Sequence, residues 1–349
     1  MSRTHRAATL ADVAAEAGVS LATASRAFNG STRTVGAELA ERVFAAAKRL
    51  DYAPNAQAQA MVRGRTNTLG LVVHDIADPY FSAIAAGVSR AADTEGMVTL
   101  LLTTLGRQEG WARDLTLMRS QRVRAAILVG SMREDPQELE ASRAAVRAYE
   151  ESGGRVVAIT QPQLPADTIV VDNHEGARLL ATDLAECGYR RFAVLTGPPQ
   201  LLTAGDRSRG FRDGALAADL PEPVTVAGDF TRDGGYAAMS ELLDRIDEQA
   251  ADIDCVFAAN DVMAVGAMAA CRARGVRVPH DLALAGFDDI PTLRDHSPAL
   301  TTVRLPLEQM GEQALRLVLE PAADEPRHPR VSGEVLLRES TPPRRARSG

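Results

Sequence analysis

The run Leu10–Asn29, LADVAAEAGVSLATASRAFN, decides how the first part of this chain folds. Leu10, Val13, Ala14 and Ala17 recur at helical spacing. Thr9 stands just before them and Asp12 follows three residues later, close to the pattern of a capping box. Gly18 sits where the helix must stop and can take the left-handed backbone of a C-cap. Val19 is then the apolar plug of the turn, and Ser20 is a good N-cap for a second helix. That helix, from Leu21 to about Asn29, turns Ala24, Ala27 and Phe28 inward and leaves Leu21, Ala22, Ser25, Arg26 and Asn29 outward. A helix, a tight turn and a second helix is the geometry that pushes one helix into the major groove of DNA. A third helix, Gly36 to Leu50, carries Leu39, Val43, Phe44, Ala47 and Leu50 on one face and is expected to close a three-helix core.

Charge supports this reading. The 349-residue chain has a net charge of −7, yet residues 1–65 hold nine Lys/Arg against five Asp/Glu, and the remainder thirty against forty-one. The positive charge is therefore gathered where phosphates would need it. Arg26 can contact guanine through two parallel hydrogen bonds. Thr9, Ser20, Thr23, Ser25 and Asn29 suit phosphate or base hydrogen bonds. Leu21 and Ala22 have no side-chain donor or acceptor, so they would read shape or thymine methyls.

The run DVAAEAGVSLATASRAFN, followed by LDYAPNAQAQAMVRGRTNTLGLVV, resembles the lactose-repressor (LacI/GalR) family of bacterial regulators, and the likeness extends over nearly the whole chain. The resemblance implies a hinge helix that folds on binding DNA, with Asn55 at its start and Ala58 and Met61 in the minor groove. Met61 stands where the family usually has Leu, the apolar lever that wedges between base pairs; an unbranched apolar side chain can do that work. Ala24 stands where the family usually has Val. The resemblance also makes Leu21 and Ala22 the positions that set much of the operator preference.

From Leu69 onward, apolar runs alternate with amphipathic helical stretches: LGLVV, MVTLLLT, AAILVG, RVVAIT, RFAVLTG, DCVFAAN and LALAGFD. Such alternation implies parallel sheets wound by right-handed crossovers. The expected architecture is a small all-α helix-turn-helix headpiece (1–53), a hinge helix and linker (54–66) and an α/β sensor (67–340) with two parallel sheets, ahead of a disordered tail (341–349). The resemblance implies a bilobed, periplasmic-binding-protein-like sensor. The chain would cross between lobes near residues 165, 292 and 325, giving one lobe of about 67–164 and 295–323 and another of about 168–291 and 328–340.

Ligands of open α/β sheets bind beyond the carboxyl ends of the strands. That rule selects Asp75, Thr104, Asn260-Asp261 and Asp288-Asp289. The resemblance selects Arg207, Asp288 and Asn260 as polar ligand contacts, Thr203 as a hydroxyl contact, and Phe81 and Phe230 as aromatic walls. Asp172 is a further candidate, able instead to tie a strand end. Asp78 and Asp261 read as helix N-caps, Asp289 as solvated, and Trp111 as packing.

No GxSxG, GxGxxG, P-loop or metal-ligand spacing accompanies these residues, so no enzyme and no cofactor are expected. Cys187, Cys255 and Cys271 are far apart and indicate neither a zinc site nor a disulfide framework. The N-terminus has no signal-like apolar stretch and no spanning segment follows, which argues for a cytoplasmic protein and against a solute-binding one. The expected partners are palindromic operator DNA, a small-molecule effector (a sugar before a purine) and a second copy of the chain. The resemblance places much of the dimer interface on the first sensor lobe, including residues 79–92. The tail RESTPPRRARSG has no leucine heptad, so a dimer is expected rather than a tetramer.

Overall fold

The computed structural model describes residues 8–29, 35–53, 66–105, 110–249 and 252–344. The chain divides into two compact units, Met1–Asn67 and Thr68–Gly349.

In the first unit, α1 (Leu10–Ala17) begins at Thr9, whose hydroxyl accepts from the Asp12 amide while the Asp12 carboxylate accepts from the Thr9 amide at 2.8 Å. Gly18 ends the helix at φ 65°, where a β-carbon would be strained. Ser20 Oγ accepts from the Thr23 amide at 3.1 Å and opens α2 (Leu21–Asn29). Helix α3 (Ala37–Arg49) buries Val43, Ala46 and Ala47 against Val13, Ala14, Ala17 and Ala24. Arg42 donates to the Ala17 carbonyl at 2.6 Å, placing a cation at the negative end of α1.

The expected inner face of α3 needs correction. Leu39 is exposed, and Phe44 is 48% exposed with only its edge on Phe28, ring centroids 5.3 Å apart. Ala46, not among the expected residues, is fully buried instead. With alanines at Ala14, Ala17 and Ala24 opposite, the helices pack too closely for large side chains at the centre, so the face rotates toward the small residues.

The second unit is built on two parallel sheets. The first has the order β11-β5-β4-β3-β1-β2, with β1 (Thr68–Val73), β2 (Val98–Thr103), β3 (Ala125–Val129), β4 (Arg155–Ile159), β5 (Asp167–Val171) and β11 (Arg330–Val331). The second has the order β7-β6-β8-β9, with β6 (Phe192–Thr196), β7 (Val224–Ala227), β8 (Cys255–Ala258) and β9 (Ala283–Ala285). All pairs in both sheets are parallel, and an antiparallel pair of β10 (Thr302–Arg304) and β12 (Glu334–Leu336) stands beside them. Helices α4 (Pro79–Thr94), α5 (Ala112–Ser120), α6 (Pro136–Glu151) and α11 (Leu307–Leu319) pack in the first lobe. Helices α7 (Asn173–Glu186), α8 (Leu202–Ala217), α9 (Arg232–Gln249) and α10 (Asp261–Ala273) pack in the second.

Three helix pairs approach backbone to backbone. An alanine methyl at Gly87 would overlap the Glu308 carbonyl, one at Gly210 the His174 carbonyl, and one at Gly266 the Arg232 carbonyl.

The crossings differ from the expected positions. DTIVV is a full strand that pairs with β4, so the first crossing follows Val171 rather than residue 165. Residues 301 and 304 bridge to Ala285 and Asp288, so the second comes after Arg304 rather than at 292. Strand β11 pairs with β5, so the third comes after Val331 rather than at 325. Each crossing is displaced toward the C-terminus because the chain pairs once more with the lobe it is leaving before it crosses. Among the described residues no helix is long and apolar enough to cross a membrane.

Candidate functional site

Between the two lobes lies a cleft of about 790 Å³, lined by residues at the carboxyl ends of strands in both sheets. Arg207, in the second turn of α8, is its electrostatic centre. Its Nε donates to Asn173 Oδ1 at 2.8 Å, Nη1 to the Ala259 carbonyl at 2.9 Å and Nη2 to Asp288 Oδ1 at 2.7 Å. The guanidinium lies 3.9 Å above the Phe287 ring centroid. Both charged side chains are nearly enclosed, at 3% and 5% exposure. Burial pushes the Asp288 carboxyl up to about 7, with Arg207 pulling the other way. Asp288 holds φ at 119°, a backbone region that side chains other than glycine rarely adopt. Such strain collects at ligand sites, where the surrounding fold imposes it.

Asn260 caps α10 by accepting from the Met263 amide at 2.8 Å, which leaves its Nδ2 for the cleft. Phe230, Phe81 and Tyr80 form aromatic walls, Tyr80 standing edge-on to Phe81 with centroids 5.0 Å apart. An alanine methyl at Gly197 would overlap the Phe230 ring, so that glycine lets the ring lie flat on the strand end. Asp78 lines the cleft and caps α4 through the Tyr80 amide at 2.9 Å. His74 lines it too, paired with Thr104 Oγ1 at 3.2 Å.

A clasp joins the lobes across this cleft. The Glu134 amide donates to the Gln200 carbonyl at 2.8 Å, and the Leu202 amide to the Met132 carbonyl at 3.0 Å. The Thr203 amide donates to Ser131 Oγ at 3.1 Å, and Gln161 Nε2 donates to Thr203 Oγ1 at 2.9 Å. Leu202 adds an apolar contact, packing on the first lobe's cluster of Trp111, Leu115 and Met132. The clasp residues begin the same helix that carries Arg207.

Of the sequence candidates, Phe81, Asp172, Thr203, Arg207, Phe230, Asn260 and Asp288 all line this cleft. Thr203 is engaged in the clasp. Asp172 is tied to Arg330 and accepts from Ser332 Oγ at 2.9 Å. Asp75 is not in the wall: its carboxylate accepts from the Ala77 amide at 2.9 Å and closes the turn before α4. Asp261 is not the N-cap of α10, a role that belongs to Asn260. It is buried one residue on, accepting from Thr302 Oγ1 at 2.8 Å and the Ile290 amide at 3.0 Å. Asp289 is not solvated but pairs with Arg304 and Arg338 at 2.8 and 2.7 Å. Sequence reasoning missed Tyr80, Asn173, Ser131 and Gln161. The last three follow β5, β3 and β4, so the strand-end rule would have found them had it been applied to every strand.

Burial pushes the Asp261 carboxyl up to about 6, against the bonds from Ile290 and Thr302. A raised folded-state pKa favours the protonated folded form, so its stabilising contribution is complete below about pH 4 and lost as pH rises through about 6. The shift corresponds to about 3 kcal/mol at most. Denaturant unfolding at pH 5 and pH 7.5 should therefore show the wild type losing more stability across that interval than Asp261→Asn. Equal losses would remove Asp261 as the titrating group.

In the first unit, Leu21 is 54% exposed, and Ala22 and Arg26 are exposed on the outer face of α2. Thr9 and Ser20 spend their hydroxyls on caps, and Thr23 Oγ1 lies 2.8 Å from Ser20 Oγ. The Asn29 side chain and the hinge candidates Asn55, Ala58 and Met61 lie outside the described residues.

Residues 9–55 match the family described as bacterial regulatory proteins, lacI family, and residues 181–341 match a periplasmic binding protein-like domain. The HTH-type transcriptional regulator CelR of Thermobifida fusca is 36% identical over 96% of this chain and 99% of its own length. The chain belongs to the LacI family of bacterial regulators. Another LacI-family relative, the HTH-type transcriptional repressor PurR of Photorhabdus laumondii, is 32% identical over 90% of both chains. Among solved structures, a CelR–cellobiose complex is 34% identical, with TM-score 0.67 over 95% of this chain and 99% of that one. The lac repressor dimer bound to operator and an anti-inducer is 25% identical, with TM-score 0.80 over 97% and 100%. This LacI-family chain is a ligand-responsive, DNA-binding transcriptional repressor, with a helix-turn-helix headpiece and a two-sheet sensor.

Proposed function

We propose that the sensor responds to a carbohydrate and that the regulator acts as a homodimer on a palindromic operator in the cytoplasm, associated with the nucleoid when bound. The observation that carries the effector class is the cleft itself. Its buried Arg207–Asp288–Asn173 cluster and the Asn260 amide stand between aromatic walls, which suits a ring with hydroxyls on its rim and an apolar face. The cellobiose complex of a relative supports this reading, and the lac repressor dimer supports the assembly.

In this reading Leu21, Ala22 and Arg26 face base edges, with Thr9, Ser20, Thr23, Ser25 and Asn29 positioning the helix on phosphates. Asn55, Ala58 and Met61 engage the central minor groove. Effector bound to Arg207 and Asp288 alters how the lobes close, and α8 passes that change to the clasp. Effector and operator affinities are thereby coupled reciprocally.

The test is a thermal-shift panel of sugars, sugar phosphates, nucleosides and purines. A true ligand at a hundredfold excess over its Kd should stabilise by about 2.7 kcal/mol. A sugar response lost in Asp288→Ala supports the proposal, while a response from purines or nucleosides alone refutes the carbohydrate class. For DNA, Met61→Gly should weaken specific operator binding far more than nonspecific binding; equal losses would refute the wedge.

A further inference from the structure

We propose that Asp261 and Thr302, neither of which lines the cleft, are positioning residues that couple occupancy of the cleft to operator affinity by holding β10 on the second lobe. This rests on the effector binding between the lobes and goes beyond that reading in naming what carries the signal out of the cleft, whichever class of ligand fills it.

Three acidic residues at the ends of β8 and β9 grip this strand. Asp261 and Thr302 are both fully buried. The Thr302 hydroxyl donates to Asp261 Oδ1 at 2.8 Å and accepts from the Asp289 amide at 3.4 Å. Asp261 Oδ2 accepts from the Ile290 amide at 3.0 Å, so the carboxylate ties β10 to the turn that follows Asp288. The Asp289 side chain pairs with Arg304 at 2.8 Å. Asp288, the partner of Arg207, holds the strand through its backbone. Its amide donates to the Val303 carbonyl at 2.8 Å, and its carbonyl accepts from the Leu305 amide at 3.3 Å. Asp288 and Asp289 hold φ at 119° and 54°, a region that side chains other than glycine rarely adopt. Such strain persists only where surrounding contacts over-determine it.

The other end of β10 leads directly into the first lobe. Leu305 is bonded to Asp288, and Leu307 is the first residue of α11, so only Pro306 stands between them. A proline, whose ring fixes φ, leaves little slack in that link. Helix α11 meets α4 backbone to backbone: a methyl at Gly87 would overlap the Glu308 carbonyl, and one at Gly311 the Ile84 carbonyl. Arg90 on α4 also donates to Glu308 at 2.8 Å. Close-packed elements transmit displacement rather than absorb it. Asp78, Tyr80 and Phe81, at the start of α4, line the cleft as Asp288 does. A shift of Asp288 on ligand binding therefore passes along β10 to α11 and α4. Freeing β10 from Asp261 puts slack into that route while leaving the cleft wall in place.

The test measures two affinities. The full chain is titrated calorimetrically with cellobiose, ribose, adenine and guanine. Its affinity for a palindromic duplex, selected by the wild-type chain from a random-sequence library, is measured with and without saturating amounts of each. The ligand that binds should shift the wild-type duplex affinity by about 5–150-fold, the usual size of allosteric coupling. Thr302→Val, of the same shape, should bind that ligand within about threefold of wild type yet shift the duplex affinity by less than about threefold. Thr302→Ser keeps the hydroxyl and should retain the wild-type shift, a rescue that a packing role would not give. Arg304→Ala, at the exposed edge of the strand, should also reduce the shift and serves if the valine variant folds poorly. A full shift in Thr302→Val and Arg304→Ala, or a shift lost only in proportion to ligand affinity, would overturn the relay and leave the effector reading standing. A response to adenine or guanine alone would refute the carbohydrate class, and the relay stands or falls by the same comparison with that purine. If none of the four responds, Asp288→Asn perturbs the cleft without a ligand. Duplex affinity should then change on that substitution in the wild-type background and not in Thr302→Val; equal changes in both, zero included, would overturn the relay.

Discussion

Asp288→Ala is expected to abolish the effector response and to destabilise the sensor by about 3–5 kcal/mol. The cause is the neighbour left behind. Arg207 is nearly enclosed, and Asp288 is its anionic partner at 2.7 Å. Asn173 and the Ala259 carbonyl remain as acceptors, but neither carries charge. A buried guanidinium without its counter-ion costs far more than the pair contributed, because attraction within the pair offset part of the desolvation that the lone cation then bears in full. The melting temperature should fall on the order of 5–10 °C. Asp288→Asn keeps an acceptor oxygen and should fall between wild type and alanine in stability while still losing effector binding. Thermal unfolding of all three proteins, with and without the saccharide identified by the panel, decides the matter. An alanine variant as stable as wild type would show that Arg207 is satisfied without Asp288.

The second large effect is expected at the clasp. Leu202→Asp places a carboxylate in an apolar contact, against the cluster of Trp111, Leu115 and Met132. Closing the lobes would bury that charge or force them apart. A penalty of about 3 kcal/mol on the closed arrangement corresponds to roughly a hundredfold loss of effector affinity. Gln161→Ala should act in the same direction but less strongly, since it removes the bond to Thr203 and the support of the Met132 amide at 3.0 Å without adding charge. Calorimetric titration of each variant with the same saccharide measures the loss. Affinity equal to wild type in Leu202→Asp would mean that the clasp does not contribute to the ligand-bound arrangement.

Several features were legible because they are local. Thr9, Asp12, Gly18 and Ser20 fix helix ends through contacts within three or four residues, and the helical period of Val13, Ala14 and Ala17 sets the inner face. The alternation of apolar runs with helices required parallel sheets, and strand ends required a ligand site beyond them. That reasoning reached Arg207, Asn260 and Asp288 with help from the family resemblance.

What the sequence did not determine depended on partners far away in the chain or on a difference of one residue. Asp75 and Asp78 lie three residues apart, yet only the second lines the cleft, because the turn between them redirects the backbone. Asn260 and Asp261 are adjacent and face opposite surroundings, the cleft and the buried Thr302 hydroxyl. The third crossing was displaced because β5 and β11 pair across 160 residues, a partnership that no local pattern records. The clasp likewise joins residues 131–134 to 200–203, whose own sequences signal only loops. Periodicity and caps therefore specified the elements and their order in this protein. Packing of distant segments decided which polar strand ends meet in the cleft and which are spent holding the lobes together.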